Sequence, residues 1–141
     1  MTPTKPGIDW AERYVLLEHW KSDLDFYTDD LRFLHHLIDK YFIWITKREN
    51  LDMVKELRIQ IAQLKEKCNE LLEAVKSEMH HIASMMETPE DKKPELSREE
   101  CEELEKEFTG FVKSFRANRK EVFKITEYIM DSEELPSLLK S

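Results

Sequence analysis

Glycine is almost missing, with two residues in 141. No glycine-rich loop can therefore bring successive backbone N–H groups onto a phosphate, which excludes nucleotide-binding loops of that type. Proline occurs only at positions 3, 6, 89, 94 and 136, so two long stretches of chain contain none. Two cysteines, Cys68 and Cys101, are too few for a disulfide framework. No apolar run approaches the roughly 18–20 residues that span a bilayer. The opening Met1-Thr2-Pro3-Thr4-Lys5-Pro6-Gly7 lacks the apolar core of a signal peptide. The expectation is a cytoplasmic protein with no membrane association. Basic residues are outnumbered, 22 Lys and Arg against 30 Asp and Glu, for a net charge of −8. That balance favours solubility and argues against broad nucleic-acid binding.

What remains is 40% apolar and 37% charged, a mixture rich in Leu, Glu and Lys that belongs to long amphipathic helices. The regular spacing of the apolar positions argues against disorder. The length suits one domain with its own core. The densest stretch runs from Trp10 to Ile45 and holds all three tryptophans. Asp9 with Glu12 has capping-box spacing, and Arg13, Leu17, Trp20, Leu24, Tyr27, Leu31, Leu34, Ile38, Phe42 and Ile45 follow at steps of three and four. That predicts one helix of about 38 residues, on the order of 57 Å long. At Leu51 and Val54 the stripe slips out of phase, which predicts a tight turn near residues 46–50, with Thr46 or Asn50 as cap.

The second helix shows a heptad through Val54, Leu57, Ile61, Leu64, Cys68, Leu71, Val75, Ile82 and Met85, and ends near Glu87 because Thr88-Pro89 disfavours continuation. Residues 89–94 read as a loop, and Ser97 with Glu100 repeats the capping-box spacing. The third helix carries Cys101, Leu104, Phe108, Phe111, Val112, Phe115, Val122, Ile125 and Ile129. The expected architecture is all-α: an antiparallel up-down-up three-helix bundle with long, coiled-coil-like helices, associating into a larger helical dimer. The layout is a flexible lead-in over 1–8, one bundle over 9–132 (helices about 9–47, 50–87 and 97–132), and a tail over 133–141.

Chemistry-bearing groups are sparse. Taking the helices as level at their ends puts His35 near Gln60 and Asn118, a polar core layer of the kind that sets register. The same levelling brings His19 toward His80 and His81, and toward Glu102 and Glu105. Imidazoles and carboxylates on facing helices can hold a metal, and a metal- or small-ligand-binding bundle is the alternative reading. Adjacent His80 and His81 point about 100° apart, so no metal or cofactor is expected. The cysteines fall on apolar stripes, where thiols are inert, and no catalytic residues are expected.

Charge is uneven along helix three. Glutamates crowd its start, where the helix dipole favours them, and Lys113, Arg116, Lys120 and Lys124 share one face further on. The expectation for that strip is a solvated face with i,i+4 pairs and no aromatic residues interleaved. The strongest functional signal is on helix one. Val15, Phe26, Phe33, Leu37 and Trp44 form a second apolar face roughly 120–160° from the main stripe, more than two bundle neighbours need. That surplus predicts a non-enzymatic protein acting through protein–protein contact, most simply a homodimer through helix one.

Overall fold

In the computed structural model, which describes residues 9–87 and 98–133, three helices pack side by side: α1 over Trp10–Phe42, α2 over Arg48–Glu87 and α3 over Arg98–Ser132. They run up, down and up, with no strand among the described residues. The chain is an all-α three-helix bundle. No helix is long and apolar enough to cross a membrane among the described residues. The expected lead-in, the loop over 89–94, the Ser97 cap and the tail beyond Glu133 lie outside the described residues.

Each helix buries the stripe its spacing marks. Leu17, Leu24, Leu31, Leu34 and Ile38 of α1, Ile61, Leu71, Val75 and Ile82 of α2, and Phe115, Val122 and Ile129 of α3 are wholly or almost wholly enclosed. Each such side chain contributes about 1.5–3 kcal/mol relative to exposure. Aromatic rings tie α1 to α3: Trp20 stacks on Phe108 with centroids 4.7 Å apart, and Tyr27 meets Phe115 at 4.7 Å and Phe111 at 5.7 Å. Asp9 caps α1, its Oδ1 accepting from the backbone N–H groups of Ala11 and Glu12 at 3.1 and 3.2 Å.

Three features depart from the periodic reading. First, α1 stops at Phe42 instead of running to residue 47. Its last carbonyls are taken at the shorter i+3 spacing, by Trp44 N–H on Tyr41 and Ile45 N–H on Phe42. α2 then opens with Lys47, rather than Thr46 or Asn50, at the capping position, its carbonyl accepting the first helical bond from Leu51 N–H. The side chain that closes this turn comes from far along the chain. Glu133 accepts from Thr46 N–H and Oγ1, from Lys47 N–H and from Asn50 Nδ2, at 2.8–3.2 Å. Partial desolvation pushes the Glu133 carboxyl up, but the bonds from Asn50, Thr46 and Lys47 outweigh it and hold the pKa down at about 2.

Second, the heptad of α2 skips from Val75 to Ile82, and the skipped slot is filled by buried Glu78. Arg13 Nε donates to Glu78 Oε2 at 2.7 Å, Arg13 Nη2 donates to the Cys101 carbonyl at 3.0 Å, and the guanidinium lies 5.1 Å from the centroid of Trp20. One arginine thus joins all three helices. Third, α3 is slid about two turns along α2 from the level-ended arrangement. Gln60 meets Asn118 and Lys67 meets Glu107. Glu78 sits at the level of Cys101, so α2 continues to Glu87 beyond the start of α3.

Candidate functional site

The outward side of α1 carries four of the five expected second-face residues in the open: Phe26 is 63% exposed, Val15 and Phe33 49%, and Trp44 41%. Leu37 differs, being half-buried and packed against the core. Helix geometry explains the division. Leu37 lies on the edge of this face nearest α3, whereas Val15 and Phe26 point further outward and Phe33 touches α3 only through the exposed ring of Phe123. Trp44 projects from the turn after α1, beside Ile43, which is also exposed.

The neighbour of this face is the basic strip of α3. Leu37 and Tyr41 share a shallow depression of about 550 Å³ with Lys120, Phe123 and Lys124. Phe33 and Phe123 lie 6.3 Å apart between ring centroids, Arg119 packs over Phe123 at 4.8 Å, and Arg119 Nε pairs with Asp30 at 2.9 Å. The aromatic face and the cation strip are therefore one continuous surface on the side of the bundle away from α2. Phe123 is the residue that periodicity overlooked. It lies off the apolar stripe of α3, and its place between Arg119 and Arg116, at the edge of the strip nearest α1, was readable from a helical wheel. The strip does have an aromatic residue among its cations.

Nor does that strip form i,i+4 pairs. Lys113, Arg116, Lys120 and Lys124 are all exposed, and none makes an ion pair among the described residues. The reason is their own spacing: Arg116, Lys120 and Lys124 are each other's i,i+4 neighbours, so like charge faces like. Glu102 and Glu105, on the same outward side nearer the start of α3, are likewise exposed and form no ion pair among the described residues.

The polar groups elsewhere are engaged in packing. Asn118 Nδ2 donates to Gln60 Oε1 at 3.1 Å, and Asn118 is buried. His35 stands outside that pair, half-buried at the α1–α2 seam. The Lys65 ammonium donates to its Nδ1 at 2.7 Å, which leaves Nε2 to donate to Asp39 at 3.1 Å. The shift of α3 and the angular position of His35, turned toward α2, separate the two. The depression over the α2–α3 seam, about 750 Å³ and bordered by Gly110, Ser114 and Ala117, is broad and carries no convergent set of reactive groups.

The histidine end is also dispersed. His19 and His80 are exposed on different helices, and His81 borders Glu100 and Glu103 on the α2–α3 side, away from Glu102 and Glu105. No three His, Cys, Asp or Glu side chains gather to hold a metal among the described residues. Because α2 overhangs the start of α3, His80 and His81 sit past the level of Glu102 and Glu105. Both cysteines are free and buried, and burial raises both thiol pKa values, so little thiolate forms.

The fold and surface thus define a three-helix bundle with an apolar and basic face spread over α1 and α3. No protein-family model, curated protein or solved structure matches the chain.

Proposed function

We propose that this chain is a non-enzymatic helical-bundle protein that acts by protein–protein contact, and that it pairs with a second copy through the outward face of α1. The carrying observation is that Val15, Phe26, Phe33 and Trp44 stand exposed on one side while the core stripe of the same helix is closed. Large apolar side chains grouped this way mark contact surfaces. The buried, free cysteines suit a reducing compartment, and on that ground we place the protein in the cytoplasm.

Sedimentation velocity over a concentration series tests the proposal. The wild-type chain is expected to dimerise by high micromolar concentration. Phe33→Glu with Trp44→Glu should weaken pairing by about a hundredfold or more, because each charge falls in the contact. A wild-type chain that stays monomeric throughout would refute the pairing.

A further inference from the structure

From the distribution of charge on this face we infer that the second copy docks antiparallel, α3 lying against α3. The inference rests on the self-pairing proposed above and adds its orientation and charge contacts. The outward face carries two pairs of opposite charge. Toward the start of α3 it carries Glu102 and Glu105, and further on it carries Lys120 and Lys124, all exposed. Glu102 and Lys124 each lie about 17 Å, and Glu105 and Lys120 each about 11 Å, from the level of Lys113. A two-fold axis across the helices at that level sets Glu102 against the second copy's Lys124, and Glu105 against its Lys120.

Val15, Phe26 and Phe33 of α1 obey the same axis. α1 and α3 run parallel, with Trp20 level with Phe108 and Asp30 level with Arg119, so the axis crosses α1 near Leu24. Phe26 lies next to it, which turns the two copies' Phe26 rings toward each other. Val15 and Phe33 are equally far from it on opposite sides, so Val15 of each copy meets Phe33 of the other. One patch pairs with itself, as a two-fold contact requires. A parallel pairing instead sets these like-charged pairs at the same level. The antiparallel one gives Lys120 and Lys124, which form no ion pair among the described residues, a carboxylate each.

A charge exchange tests this. Lys120→Glu with Lys124→Glu makes one variant, and Glu102→Lys with Glu105→Lys another. All four positions are exposed, and circular dichroism checks that both variants remain helical. Each variant alone should dimerise at least about tenfold more weakly than wild type, and an equimolar mixture should recover a heterodimer near wild-type affinity. A wild-type dimer broken by Phe33→Glu with Trp44→Glu, yet indifferent to these charge changes or not restored by mixing, would overturn the antiparallel arrangement alone. A monomeric wild type overturns the self-pairing on which it rests.

Discussion

Glu133 shows how much one carboxylate can organise. The first N–H groups of a helix have no partner within it, and their dipoles favour a negative charge. Here the charge arrives from the end of α3, joining it to the turn between α1 and α2. Its pKa in the folded chain, about 2, lies below the ordinary 4.5. The stability it contributes is therefore complete above the ordinary value and is lost as pH falls toward about 2. Urea denaturation should show Glu133→Gln less stable than wild type at neutral pH, with the gap closing as acid protonates the wild-type residue. A gap of constant size would mean that the charge is not responsible. Arg13 and Glu78 present a different balance, since both are buried and each offsets the other's desolvation. Arg13→Ala leaves Glu78 uncompensated and should cost about 3–5 kcal/mol, whereas Arg13→Met with Glu78→Leu should come close to wild type. Equal losses in the single and double variants would contradict this.

At the scale of the element, α3 carries an obvious weakness. Gly110 lies inside the helix, where glycine forfeits more backbone freedom on folding than any other residue. A Cβ placed there meets nothing within 4 Å. Gly110→Ala should therefore stabilise the protein by about 0.5–1 kcal/mol, seen as a higher midpoint in thermal or urea unfolding. A loss of stability would show that the α2–α3 seam closes over this position. α1 is unusual for the opposite reason, having apolar side chains where a two-neighbour helix needs none. Its main stripe, from Leu17 to Ile38, was readable from steps of three and four, and so was the second face. Its end was not. Ile45 continues the spacing but lies in the turn, because the bonds that Glu133 makes to Thr46 and Lys47 reward leaving the helix there.

For the whole molecule, pairing and stability are linked. If the outward face joins two copies, dilution favours the unpaired form and lowers the unfolding temperature. The variant Phe33→Glu with Trp44→Glu, used above to break the pairing, should therefore unfold at a temperature independent of concentration, while wild type rises with it. Both substitutions fall outside the closed core, so the helical content of the two proteins should agree. Net charge of −8 on each copy opposes association, which makes the local placement of Lys120 and Lys124 matter more.

The amino-acid sequence by itself determined the helices, their buried stripes and the surplus face of α1. All of these depend on residue type and spacing within one segment, which the periodicity of a helix reports directly. Tertiary structure alone decided the slide of α3 along α2, the partners of His35 and Asn118, the burial of Glu78 and the reach of Glu133. A stripe that repeats at every turn looks much the same after a slide of one or two turns, so it cannot specify which levels meet. That choice comes from side chains interlocking between helices, where Arg13 finds Glu78 and Trp20 finds Phe108. The same packing turned the cations of α3 and the aromatic residues of α1 to one side, making a single surface from two patterns that lie far apart in the chain.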